Sequence, residues 1–374
     1  MVGLKPIAAE FDWPRAVPSL CYSLLLLGSG LGGLVMGRFA DRSGMGPPAA
    51  VGALSLAFGA WLASVSESAG MLYLAHGLFL GMLGNGAFVA PLLANATRWF
   101  DRRRGIAVAL VASGQPLAGA IWPPSLRYLT DDFGWRTAFS AYALVALLVL
   151  LPLALLVRER PPIEVGGGRS SRPWDGRVLG WPAEIVHAAL CLAIVGCCVA
   201  MAMPMVHLIA YATDIGHPNA RAAEMLALLL ACAFVSRLLF GVLVDRIGGL
   251  RTLFIGSAGQ ALTLSCFAFV HSFAGLYVIS ALFGLAFGGI VPCYAIIVRE
   301  LFPASQAGWR IGAIILFGAI GMALGGWLGG LIFDLSGSYR TAFLVGVAFN
   351  LGNLSLVGTL LHRRLQKPAQ AVTA

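Results

Sequence analysis

An all-α membrane protein built as two pseudo-symmetric helix bundles is predicted by three observations. The first is composition. Of 374 residues, 59% are hydrophobic and 11% are charged, and the mean hydropathy is +0.85. A water-soluble domain carries roughly 25% charged residues, so this chain cannot solvate its surface in water. The second is a series of eleven apolar runs, each near the roughly 20 residues that a spanning helix needs. The third is an internal repeat. Gly37, Asp41, Arg42 and Gly44 form a G-x-x-x-D-R-x-G turn that returns as Gly241, Asp245, Arg246 and Gly248, and 37 to 241 is a step of 204 residues. At the same step Arg136-Thr137-Ala138-Phe139 returns as Arg340-Thr341-Ala342-Phe343, and Pro14 as Pro218. Self-similarity of this length fixes the architecture before any local reading.

The apolar runs fall near 16–38, 47–65, 70–97, 105–128, 135–157, 185–213, 222–244, 251–270, 274–298, 308–333 and 339–361. Five precede and six follow a connector rich in Arg, Gly, Pro and Ser. The expected organisation is an N-terminal bundle over 1–157, a cytoplasmic linker over 158–183 and a C-terminal bundle over 184–374. The counterpart of 185–213 falls before residue 10, where only Met1-Val2 and Leu4 match Met205-Val206 and Leu208. Eleven spanning helices of an expected twelve are therefore present, with the first apparently missing. A start codon placed too far downstream is the preferred explanation, and a genuine eleven-helix protein or an inactive remnant is the other.

The loops set the orientation. With the 39–46 loop in the cytoplasm, that side and its helix ends hold eighteen of the 25 Lys and Arg residues, the opposite side six, and Arg237 alone lies within a span. This bias places the N-terminus outside and the C-terminus inside. It also accounts for the net charge of +9 without nucleic acid, since no basic stripe interleaved with aromatics exists. Arg far outnumbers Lys in a chain rich in Ala and Gly, which points to a GC-rich bacterial genome and so to the inner membrane. The seven cysteines all lie in apolar runs and read as small buried residues, not as disulfides or a metal site. No cofactor or metal is expected. An enzyme is not expected either, since no phosphate loop and no nucleophile with an embedded base is present.

The paired G-x-x-x-D-R-x-G turns, at matching positions in a polytopic chain, resemble those of the major facilitator superfamily. Three passages are similar to its monocarboxylate-transporter and oxalate/formate-antiporter branch. One is Glu10-Phe11-Asp12-Trp13-Pro14-Arg15-Ala16. The second is Arg98-Trp99-Phe100-Asp101-Arg102-Arg103-Arg104-Gly105-Ile106-Ala107, with Gly134-Trp135-Arg136 following. The third runs from His207-Leu208 through Asp214 and Gly216 to Ala222-Ala223 and Ser236-Arg237. The resemblance covers nearly the whole chain. It implies the major facilitator fold, with twelve helices in two six-helix bundles, and alternating access. It also implies that contacts of Asp41, Arg42, Asp245 and Arg246 hold the cytoplasmic side closed in one state and break in the other.

Arg237 precedes Asp245 by two turns, roughly 12 Å into its helix. A lone intramembrane Arg costs about 3 kcal/mol on insertion scales and normally faces a cavity or a partner. It is read as a carboxylate receptor, against a structural Arg bonded to helix carbonyls, because the repeat-related position is Gly33. The branch often has an Asp one turn before this Arg, where the chain has Ala233, which favours proton-independent exchange as an alternative to symport. His207, two turns before Asp214, is either a proton carrier or an interhelical hydrogen bonder. Asn85, Phe88, Gln115, Tyr211 and Tyr294 are further candidates for lining the substrate site, and helix packing is the alternative for each. Gly28-Ser29-Gly30-Leu31-Gly32-Gly33 matches G-x-G-x-x-G, but it lies inside a span with no preceding strand, so close helix packing is expected. The expected product is a monomeric transporter in a lipid bilayer, carrying a small organic anion with or without protons. A non-transporting sensor or degenerate remnant is the rival from another class.

Overall fold

The computed structural model describes residues 4–13, 16–100, 103–157 and 176–366. A short helix, α1 (Leu4–Glu10), precedes eleven long ones. These are α2 (Ala16–Ser43), α3 (Gly46–Ser64), α4 (Ala69–Trp99), α5 (104–133) and α6 (135–156), then α7 (Ala183–Asp214), α8 (Asn219–Ile247), α9 (Gly249–Phe267), α10 (Phe273–Leu301), α11 (Ala307–Ser336) and α12 (Tyr339–Gln366). Nine helical stretches among the described residues are long and apolar enough to cross a membrane. Residues 158–175 of the expected linker, with Pro14 and Arg15 of the Glu10–Ala16 passage, lie outside the described residues.

The helix boundaries have local causes. Gly44 (φ 81°) and Gly248 (φ 85°) close the two repeated turns, and Gly134 (φ 81°) makes the corner between α5 and α6. Each position needs a left-handed backbone, which glycine adopts without strain. Ser68 and Ser272 cap α4 and α10 by accepting the N–H groups of Met71 and Gly275, each at 3.3 Å. One element departs from the all-helical expectation. Arg177–Val178 and Trp181–Pro182 pair as a minimal antiparallel hairpin. Leu179 (φ 54°) and Gly180 (φ 82°) form its turn, the two-residue geometry that suits strand twist.

The helices form two compact units. The first holds α1 to α4, α5 from Gly114 onward, α6 and residues 303–316; the second holds α5 up to Ser113, α7 to α10, α11 from Phe317 and α12. In the first unit α2 lies directly on α4. A Cβ on Gly28 would strike the Gly77 carbonyl, and one on Gly32 the Met82 carbonyl. The glycine run is thus a surface of close helix approach, as small residues are in membranes. At one end of this unit Glu10 accepts hydrogen bonds from Trp135 Nε1 (2.5 Å) and from Arg136 Nε (3.0 Å) and Nη2 (2.9 Å), while Arg136 Nη1 donates to the Ser64 carbonyl (2.8 Å). Desolvation pushes the Glu10 carboxyl up, but the bonds from Trp135 and Arg136 outweigh it and hold it below the usual range.

In the second unit α7 packs along α12 and α8. Its interior holds a polar cluster. Gln260 Nε2 donates to the Cys197 carbonyl (3.0 Å), Asn350 Nδ2 to the Ser257 carbonyl (2.8 Å) and Asn353 Nδ2 to Ser257 Oγ (2.8 Å). Away from water such groups must find partners inside the protein.

Candidate functional site

Arg237 sits midway along α8, half-buried. Its Nη1 donates to the Ala112 carbonyl of α5 at 2.6 Å and its Nε to the Gly288 carbonyl of α10 at 3.2 Å. Nη2 has no hydrogen-bond partner among the described residues, and no described carboxylate pairs with the guanidinium. Gly105, Ala109, Phe240, Gly241, Val244 and Cys293 line a narrow crevice beside it, closed to a water molecule in this arrangement. Apart from the guanidinium the lining is apolar or backbone. Ala233, one turn earlier, is buried. There α8 and α10 approach so closely that a Cβ on Gly288 would strike the Ala233 carbonyl.

The repeated turns place two carboxylates on helix starts. Asp245 accepts from Gly105 N (2.6 Å) and Ile106 N (3.2 Å), at the beginning of α5. Asp41 accepts from Gly308 N (2.9 Å) and Trp309 N (3.0 Å), at the beginning of α11. First-turn amides of a helix generally lack an intrahelical acceptor, and the helix dipole adds positive potential there. The approach requires glycine on both sides. A Cβ on Gly105 would strike the Gly241 carbonyl, and one on Gly308 the Gly37 carbonyl. Asp41 is also paired with Arg98, which donates to the Ala304 carbonyl at 2.9 Å. Arg42 and Arg246 are exposed and make no hydrogen bond to a described residue.

Sequence reasoning missed three participants here. Arg98 was legible only as part of the Arg98–Ala107 passage. Trp309 lies under two cations, with Arg310 4.5 Å and Arg38 5.2 Å from its ring centroid. Glu300 accepts from Gly249 N (2.8 Å), at the start of α9, and pairs with Arg364. Glu300 lies outside the repeated turns, and the residue 204 positions earlier is Ala96, so the repeat leaves no signal for it.

The other candidate residues are dispersed. His207 Nε2 lies 2.9 Å from the Gly326 carbonyl, and its ring centroid lies 5.3 Å from that of Tyr339. Tyr211 donates to the carbonyls of Phe267 and Val270, both at 3.1 Å. Tyr294 is fully buried and donates to Asn353 Oδ1 (3.3 Å) within the polar cluster. In the first unit Asn85 Nδ2 donates to Ser29 Oγ (2.8 Å). Phe88 packs against the apolar clusters around Leu56 and Met45. The side chain of Gln115 lies outside the described residues.

The family model described as Major Facilitator Superfamily matches residues 1–187 and again residues 188–373. The chain is 28% identical to monocarboxylate transporter 13 of Bos taurus, over 95% of this chain and 81% of that protein. It is also 28% identical to the MFS-type transporter pynF of Aspergillus niger, over 81% of this chain and 69% of that protein. Its fold is similar to that of the E. coli fucose:proton symporter FucP, with a TM-score of 0.72 at 16% identity, covering 95% of this chain and 93% of that one.

Proposed function

The chain belongs to the Major Facilitator Superfamily, and on that premise we propose that it is a secondary active transporter for a small organic anion, a mono- or dicarboxylate. It works by alternating access in a bacterial inner membrane, as a monomer with a cytoplasmic C-terminus. The observation that carries this reading is Arg237, a half-buried guanidinium within a spanning helix, whose Nη2 has no hydrogen-bond partner and no acid beside it among the described residues. Guanidinium stays charged at any working pH, and its planar fork holds a carboxylate by two parallel bonds. Similarity to the bovine monocarboxylate transporter supports the substrate class. Asp41 and Asp245, with Arg42 and Arg246 beside them, act as gates, since each carboxylate ties two helices together at a helix start. His207, Asn85, Phe88, Gln115, Tyr211 and Tyr294 are the proposed neighbours of the substrate path, and His207 is the proposed proton carrier in a symport cycle.

The test is uptake by proteoliposomes of labelled pyruvate, benzoate, oxalate and succinate, with and without a pH gradient. Wild type should accumulate at least one of them. Arg237→Lys should lose most of that uptake, because an ammonium lacks the fork; unchanged uptake by the Lys variant would sink the site assignment. A second reading, proton-independent exchange, is favoured by Ala233, which stands where the related branch often has an acid. It expects uptake to depend on an anion inside the vesicle and not on the pH gradient.

A further inference from the structure

The two carbonyls that hold Arg237 have one property in common. In an α-helix the carbonyl of residue i accepts from the N–H of residue i+4. For Ala112 that residue is Pro116, and for Gly288 it is Pro292. Proline has no N–H. The Ala112 carbonyl, within α5, is therefore left without a helical donor by the sequence itself. Gly288 lies in the two-residue turn Gly288–Gly289 that interrupts α10, and its carbonyl likewise meets no N–H four residues on. Both are taken by the same guanidinium. An unpaired carbonyl away from water is costly, and a guanidinium without an anion needs acceptors. Each resolves the other's deficit.

The bond to Ala112 does a second thing. It is one of three attachments between α8 and the first part of α5. Asp245 holds the amides of Gly105 and Ile106, Gly241 lies against Gly105 and Ala109, and Arg237 holds Ala112. The corresponding place on α2 is Gly33, which has no side-chain donor to offer; a Cβ there would meet only Ala90 and Gly312, at 3.5 and 3.9 Å. The guanidinium attachment therefore has no counterpart at the repeat-related position.

The guanidinium has two faces that can grip a carboxylate at two points, Nε with Nη2 and Nη1 with Nη2. In this arrangement each face has one nitrogen occupied, by Gly288 or by Ala112. If α5 moves off α8, Nη1 is released and the Nη1–Nη2 face becomes available whole. We propose that Pro116 sets a latch, in which the carbonyl it frees holds Arg237 until an anion takes both terminal nitrogens, so that anion binding and release of α5 favour one another. This inference rests on Arg237 being the anion receptor. The reciprocity follows from linkage, since a ligand that binds one arrangement better shifts the population toward it. Charge-assisted bonds to a carboxylate are roughly twice as strong as those to a neutral carbonyl, so the exchange is favourable once the anion is present.

The test restores the missing N–H. Pro116→Ala and Pro116→Val both give Ala112 a helical donor, while their side chains differ in size and branching. Alkylation of Cys293 by N-ethylmaleimide, followed on its own peptide by mass spectrometry, reports the latch, because Cys293 is buried in the crevice that α5 closes. Cys197, buried elsewhere, is the control for unfolding. With no anion added, both variants should alkylate at Cys293 about fivefold faster than wild type, the factor for one net hydrogen bond, with Cys197 unchanged. Benzoate should bind both about fivefold more tightly. Unaltered Cys293 rates together with unaltered benzoate affinity in both variants would overturn the latch. Benzoate binding that fails in wild type, or persists in Arg237→Gln, counts against the receptor reading alone, and the Cys293 rates then decide separately whether Pro116 controls the contact between α5 and α8.

Discussion

Neutralising Asp41 and Asp245 should have unequal effects, and the structure sets the ratio. Asp41 is 7% exposed at its side chain, meets two amides at the start of α11 and pairs with Arg98, itself 17% exposed. Asp41→Asn removes the charge and leaves Arg98 with only the Ala304 carbonyl among its described partners. Breaking a buried pair costs about 3–5 kcal/mol, and partial exposure places this one at the lower end, about 3 kcal/mol. Asp245 is exposed and meets two amides, with no cation paired to it among the described residues. Its loss is of the size of a charge at a helix start, about 1 kcal/mol. A difference of about 2 kcal/mol is roughly 30-fold in an equilibrium constant. Amide hydrogen exchange reads this directly, since local opening controls exchange. Exchange at Gly308 and Trp309 in Asp41→Asn should accelerate about 30 times more than exchange at Gly105 and Ile106 in Asp245→Asn. Both variants should transport more slowly, and Asp245→Asn should still bind its anion. Equal acceleration at the two sites, or none, would refute the assignment of these carboxylates as helix-start anchors of different strength.

Three further outcomes are expected. Gly32→Ala places a Cβ against the Met82 backbone, which cannot yield, whereas Gly70→Ala meets nothing within 4 Å; thermal melting in detergent should fall by the equivalent of about 1–3 kcal/mol for the first and stay near wild type for the second. Glu10 has its carboxyl lowered in the fold, so its stabilisation is complete above the unfolded carboxylate range and fades as pH falls through the lower folded value. Because the pair with Arg136 is partly exposed, the gap in melting temperature between wild type and Glu10→Gln should correspond to at most about 1 kcal/mol and should close toward acid; a gap that widens in acid contradicts the sign. A reporter fused after Ala374 should be active on the cytoplasmic side, as the charge bias requires, and a periplasmic signal would reverse the orientation.

How far the sequence carried depends on the residue. The glycines from Gly28 to Gly33 were legible as a packing surface, because a run of small residues inside a span has few other uses. Asp41 and Asp245 were legible as acids near helix starts from their repeated turns, but not which helix each would meet. Tyr211 and Tyr294 marked polar positions in apolar spans and no more. Whether such a hydroxyl faces a cavity or a bundle interior depends on the rotation of its helix. The hydropathy of a span that is apolar all round does not encode that rotation.

By itself the sequence determined the membrane environment, the two homologous halves and the positions of most turns. These follow from composition, from the length of apolar runs and from glycines that adopt a left-handed backbone without strain. The sequence also places Pro116 four residues after Ala112 and Pro292 four residues after Gly288, and proline brings no N–H. Only the tertiary structure decided that one arginine would meet the carbonyls of both Ala112 and Gly288. Proline fixes where a carbonyl is freed, but packing through the close approaches at Gly105, Gly241 and Gly288 fixes what lies near enough to bond it.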